Sequence, residues 1–173
     1  MKYLLTFFLL FLFVLPMEAQ AELKMTTEDS STFYFIRHAE KDRSDKTNKN
    51  PHLIQTGHLR AAKWSYVLEH VKFDVVYSTD YNRTKETAGP TAEKNGLEIT
   101  IYDPKAIDGY AFKKANQGKT VLVVGHSNTT PMFVNAVIGK DKYEQIDDSN
   151  NANLYIVTIS GSGEVSDVLL VID

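Results

Sequence analysis

The chain has no cysteine. Thiol nucleophiles, thiolate metal sites, disulfides and a lipid-modified N-terminal cysteine are therefore excluded, so the fold is held by its core and any chemistry comes from histidine, carboxylate or hydroxyl groups. A basic surplus is lacking too: 19 Lys and Arg stand against 22 Asp and Glu, a formal net charge of −3. Nucleic-acid binding draws on surplus positive charge that displaces counterions. The densest basic stretch, KDRSDKTNK (41–49), is interrupted by Asp42 and Asp45 and reads as a solvated loop able to attract anions. No G-x-G-x-x-G follows a strand-like run and no HExxH occurs, which removes the dinucleotide and zinc-hydrolase readings. Nor does a composition of 43% hydrophobic and 24% charged residues carry any mark of a disordered, collagenous or repeat protein.

No apolar run reaches the roughly 20 residues that cross a bilayer as a helix. The longest, Tyr3 to Pro16, follows Lys2 and precedes the small-residue site Ala19-Gln20-Ala21. That pattern is a secretory signal peptide, so residues 1–21 are expected to be removed and residues 22–173 to form one domain in the periplasm or outside the cell. No stable membrane insertion is expected after cleavage. Asn-x-Thr sequons at Asn82 and Asn128 fall among the candidate site residues below, where a glycan would obstruct them, which favours bacterial export.

Within the mature chain, FYFI (33–36), FDVVYS (73–78), EITIY (98–102) and TVLVVG (120–125) read as buried strands. Thr56 is placed to cap a helix in which Leu59, Ala62, Tyr66 and Val67 recur at helical spacing. A second helix is expected from about Thr79 to Lys94, closed by Asn95-Gly96 and kinked or broken at Gly89-Pro90. A third opens at Pro104 and ends near Gly118, and a fourth runs from about Asn128 to Ile138. Residues 153–159 and 165–172 flank Ser-Gly-Ser-Gly and predict an antiparallel hairpin. The pattern predicts an α/β fold: a three-layer α/β/α sandwich on a mostly parallel sheet, with an antiparallel edge hairpin and TVLVVG near the centre.

His38 directly follows FYFI and His126 directly follows TVLVVG. Ligands of open α/β sheets bind beyond the carboxyl ends of the strands, and a third strand end, Tyr77-Ser78-Thr79, leads to Arg83. Arg37, His38, Arg83 and His126 can thus reach one place, where two guanidiniums and two imidazoles describe an anion site. A transferring phosphoryl group spreads charge over three oxygens that the arginine fork meets two at a time. Neutral histidine can attack phosphorus, and adjacent positive charge keeps His38 deprotonated. His52, His58 and His70 have no partners at metal-ligand spacing and read as structural or exposed, Glu86 as an exposed helix residue, Trp64 and Tyr66 as packing residues. His38, Glu40 and Asp42 alternate along a loop and make a poor metal set. No metal and no cofactor is expected.

Arg37-His38-Ala39-Glu40 resembles the RHG/RHxE signature of the histidine phosphatase superfamily, the phosphoglycerate mutase-like group (branch 1). Leu53, Thr56 and Gly57 are similar to its L-x-x-x-G stretch, residues 78–88 to its S-x-x-x-R-x-x-x-T-A helix, and Val124-Gly125-His126-Ser127 to its V-G-H-[GS] element. The resemblance implies a phosphoglycerate mutase-like fold and a phosphomonoester hydrolase that works through a phosphohistidine on His38. Arg37, Arg83 and His126 would form the phosphate pocket. It also implies a carboxylic acid after the third strand as proton donor, for which Asp108 is the first choice and Asp103 the second. Ala39 stands where glycine is commoner, and Asp108 where glutamate is. The implied partner is a small phosphorylated substrate, not nucleic acid; the oligomeric state is left open. Alternatives are a non-catalytic phosphate- or phosphosugar-binding module of the same fold and a phosphoglycerate mutase-type phosphotransferase.

Overall fold

A computed structural model describes residues 30–173; the expected signal peptide at residues 1–21 lies outside the described residues. In β1 (Ser31–Arg37) every second side chain turns to the same face, so Phe33 and Phe35 enter one core while Tyr34 and Ile36 enter another. The strand can do this because both of its faces are apolar, as a central strand covered by helices on each side requires. Five more strands complete the sheet: β2 (Val75–Ser78), β3 (Ile99–Ile101), β4 (Thr120–Gly125), β5 (Asn153–Ile159) and β6 (Val165–Val171). Their order is β3-β2-β4-β1-β5-β6. β1 to β4 run parallel, and β5 and β6 add antiparallel pairings at one edge.

Helices α1 (Gln55–Val67) and α2 (Asn82–Asn95) cover one face of the sheet, enclosing Ile36, Trp64, Val76, Ala88, Leu122 and Leu154. On the other face, α3 (Gly109–Ala115) and α4 (Thr129–Ile138) enclose Phe33, Phe35, Val123, Phe133, Val134 and Val157. This is the three-layer α/β fold expected, phosphoglycerate mutase-like, with the hairpin at the edge. Among the described residues no helix is long and apolar enough to cross a membrane.

Several local expectations differ from the structure. The inward face of α1 is Gly57, Ala61 and Trp64, continued by Leu68, whereas Leu59 and Tyr66 are exposed. Backbone contact sets this rotation: a Cβ on Gly57 would stand 2.1 Å from the Glu40 carbonyl oxygen, so the helix turns its glycine, not its leucine, toward the sheet. Thr56 lies inside α1, and the N-cap, Ile54, provides no side-chain hydrogen bond. Helix α2 runs unbroken through Pro90. Gly89 has no Cβ to clash with the proline ring, which removes the usual bar to helical backbone before proline. The helix ends on Gly96 in the left-handed conformation, φ 65°.

Candidate active site

Neighbouring strands bring the candidate residues to one edge of the sheet. Arg37 ends β1 and pairs with Gly125, which ends β4, and the His38 N–H donates to the Gly125 carbonyl at 2.9 Å. Parallel pairing in this register sets His38 and His126 side by side, with ring centroids 5.4 Å apart. The chain leaving β2 turns through Thr79 and Tyr81 into α2, which carries Arg83 at its start. Tyr81 lies between His126 and Arg83: its ring meets His126 at 90° with centroids 5.1 Å apart, and the Arg83 guanidinium carbon stands 4.4 Å from its centroid. Both histidines and both arginines thus come together. They line a cleft of about 370 Å³ shared with Lys105 and Asp148.

The protonation of His38 follows from its neighbours. Its Nδ1 lies 2.7 Å from the Ala39 carbonyl oxygen, which can only accept, so Nδ1 carries the proton and Nε2 the free lone pair. Burial is the largest cause of a pKa lowered to about 3, with His126, Arg37 and Arg83 pushing the same way and the Ala39 bond opposing. His126 is lowered to about 4, by burial first and then by Arg83, Lys41 and Arg37. Desolvation, more than the adjacent positive charge expected to do so, keeps the imidazole neutral.

The guanidiniums are built in rather than hung on the surface. Arg37, 1% exposed, donates through Nη1 to the carbonyls of Asp147 (2.8 Å) and Asn150 (2.9 Å) and through Nη2 to Asp148 Oδ1 at 2.5 Å. The Nε atoms of both Arg37 and Arg83 are buried without a partner. A buried unpaired N–H on a charged group costs about 1–3 kcal/mol or more, so both guanidiniums keep unused donor capacity beside the cleft.

A shell of small polar groups holds the reactive ones. The Ala39 N–H donates to Thr87 Oγ1 at 2.9 Å, and Thr87 Oγ1 donates to the Arg83 carbonyl at 2.7 Å, tying the His38 loop to α2. Asn151 Nδ2 donates to the His38 carbonyl at 2.7 Å. His126 Nε2 is 3.0 Å from Thr79 Oγ1. Ala39, present where glycine is commoner, buries its methyl with Leu53 and Ala61. Glu40 turns from the cleft to accept from Arg60 Nε at 2.7 Å, and Glu86, read as an exposed helix residue, accepts the Leu53 N–H at 2.7 Å and pairs with His52. Thr79, Tyr81 and Thr87 sit within the 78–88 stretch without an assigned role; nothing in the sequence marks Asn151 or Asp148.

The expected proton donors lie outside the lining of this cleft. Asp108 does not line the cleft: it is the N-cap of α3, and its Oδ1 accepts from the Tyr110 and Ala111 N–H groups at 2.9 and 3.0 Å. Asp103 closes a turn by accepting the Lys105 N–H at 2.9 Å. Both face a separate pocket beside Phe112 and Phe133, and the cleft wall from this segment is Pro104 and Lys105. Asp148 is the one carboxylate in the cleft lining. Among the described residues no group of three or more His, Asp or Glu side chains is arranged to hold a metal ion.

Comparison with known proteins bears on the fold and on the first part of the chain. Residues 33–104 match the family model described as Histidine phosphatase superfamily (branch 1). No curated protein matches. Among solved structures, a phosphoglycerate mutase from Bacillus anthracis str. Sterne superposes with a TM-score of 0.63 at 14% identity, over 85% of this chain and 95% of that one. The protein histidine phosphatase SixA complexed with tungstate gives 0.63 at 14%, over 81% and 96%. A phosphoserine phosphatase mutant from Entamoeba histolytica in complex with phosphoserine gives 0.60 at 13%, over 80% and 94%. At these identities the likeness is one of fold.

Proposed function

We propose that this chain, which carries the branch 1 histidine phosphatase pattern over residues 33–104, is an exported phosphomonoester hydrolase acting through a phosphohistidine on His38. The observation that carries the reading is a neutral His38 with its Nε2 lone pair free, beside two buried arginine N–H groups that no protein atom accepts from. Nε2 attacks phosphorus as the P–O ester bond breaks, and the electron pair leaves on the ester oxygen, which takes up a proton. Arg37, Arg83 and His126 hold the phosphoryl oxygens and oppose their growing charge, the electrostatic part of catalysis that most rewards pre-organised donors. Water then attacks the phosphohistidine, the P–N pair returns to Nε2, and phosphate departs. The guanidiniums provide the charge that a metal would otherwise bring, so turnover is expected to survive a strong chelator.

Chain length does not separate hydrolase from mutase, since the chain spans 95% of the Bacillus mutase. Hydrolysis is favoured by a cleft mouth lined by exposed Lys105, Asn128 and Asp148, which admits water to the intermediate. A binding module of the same fold would have no need of a nucleophile held in one tautomer. Export, with cleavage after residue 21, rests on the signal-like N-terminus.

Phosphate release from a panel of phosphomonoesters tests the reading, with His38→Ala as control. Turnover is expected in the wild type, with an acid-labile, alkali-stable phosphoenzyme trapped on quenching, and both are expected to vanish in the variant. Tight phosphate or vanadate binding without turnover would instead identify a binding module.

A further inference from the structure

On the reading just given, the leaving oxygen needs a proton and the attacking water must lose one, yet neither Asp108 nor Asp103 lines the cleft. We propose that Asp148 performs both transfers, and that a bound phosphoryl group competes with it for Arg37. Asp148 is the one carboxylate lining the cleft that also contains His38, His126 and both arginines. Its Oδ1 accepts from Arg37 Nη2 and its Oδ2 from Arg43 Nη1, each at 2.5 Å. It thereby takes a donor of the arginine expected to hold phosphate, as a resident anion beside the position a phosphoryl oxygen would occupy.

Its backbone is anchored while its side chain, held by the two arginines, stands exposed to solvent. The loop between α4 and β5 is pinned by Arg37 on the carbonyls of Asp147 and Asn150, by Asn151 on the His38 carbonyl and by the Ile146 N–H on the Ser127 carbonyl at 2.8 Å. The Asp148 side chain itself is 64% exposed, so it exchanges protons with solvent.

The charges around it set the cycle. Arg37 on β1 and Arg43 on the following loop pair with it directly, Lys41, Lys105 after β3, Arg83 on α2 and the two histidines share its cleft, and Asp147 lies beside it in sequence. The Arg43 and Arg37 hydrogen bonds, opposed by some desolvation, hold its carboxyl at about 2. A phosphomonoester dianion takes over part of Arg37 and brings like charge, and both changes raise that value. The carboxyl, protonated from solvent, gives its proton to the ester oxygen as the P–O bond breaks. The resulting carboxylate takes a proton from water as that water attacks phosphorus and the P–N bond breaks, which restores the acid and neutral His38. The sum is ester dianion and water going to alcohol and hydrogen phosphate.

Asp148→Asn tests this with two substrates and one ligand. General acid catalysis contributes about 10²–10⁴-fold where the leaving group is poor, so kcat/KM for glycerol phosphate should fall by about that range while kcat/KM for p-nitrophenyl phosphate changes less than about tenfold. On p-nitrophenyl phosphate a burst of nitrophenol should precede a slow steady state, as phosphohistidine hydrolysis becomes limiting. Inorganic phosphate should bind several-fold tighter with the competing charge gone. Equal kcat/KM losses on both substrates, or weaker phosphate binding, would mean that Asp148 only positions Arg37, and would overturn the inference while the phosphatase reading stood. If the wild type itself lacked His38-dependent turnover, both would fall together.

Discussion

Asp108 shows how far one side chain's chemistry depends on what it already does. A carboxylate that accepts two backbone N–H groups at the start of α3 is committed to a structural task, since N-cap acceptors replace hydrogen bonds the helix cannot make for itself. Asp108→Ala should lower unfolding free energy by about 1 kcal/mol, read from denaturant melts, with the ratio of kcat/KM between aryl and alkyl phosphomonoesters unchanged. A selective loss on alkyl substrates would return Asp108 to the acid role. Arg37 teaches the complementary point. Its place beside the nucleophile is legible because charged residues end an apolar strand, but its bonds to the carbonyls of Asp147 and Asn150 join positions more than a hundred residues apart, through a polar loop with no periodicity to read.

Among the elements, β4 and β5 match their sequence-based bounds because continuous apolar runs admit few other readings, and β1 differs only by extension at its ends. Helix α1 was legible as a helix and not as to its face. Leu59, Tyr66 and Val67 make a plausible apolar stripe, but the approach of Gly57 to the Glu40 backbone overrides it, and such contact has no signature in local periodicity. The L-x-x-x-G resemblance marked this glycine without explaining it. The Ile54 N–H also donates to the Glu40 carbonyl at 3.0 Å, so α1 buttresses the loop that carries His38. Gly57→Ala must part these backbones, and the expected outcome is a loss of about 1–3 kcal/mol, in the range of overpacked sites, together with reduced kcat as the His38 loop shifts. Full stability and activity in the variant would contradict this account.

At the scale of the whole molecule, two buried neutral imidazoles make the fold sensitive to acid. Above pH about 6.5 both are neutral whether folded or unfolded and add no pH dependence. Below it the unfolded chain takes up protons that folded His38 and His126 refuse down to about 3 and about 4, so stability falls with falling pH across that window. Asp148, held at about 2, adds loss in the same direction at the lower end. Thermal melts should show Tm declining from pH 6.5 toward 4, with inorganic phosphate raising Tm because its binding favours the folded state; a Tm flat over this interval would disprove the acid sensitivity. The separation of the two histidines has a different origin from everything else around them. They extend adjacent strands of one ladder, with Arg37 opposite Gly125, so their gap reflects interstrand spacing of about 4.8 Å and not the course of any loop. Reshaping the exposed loop at 44–48, which makes no bond to either ring, should accordingly leave the distance between the attacking and assisting rings as the sheet dictates.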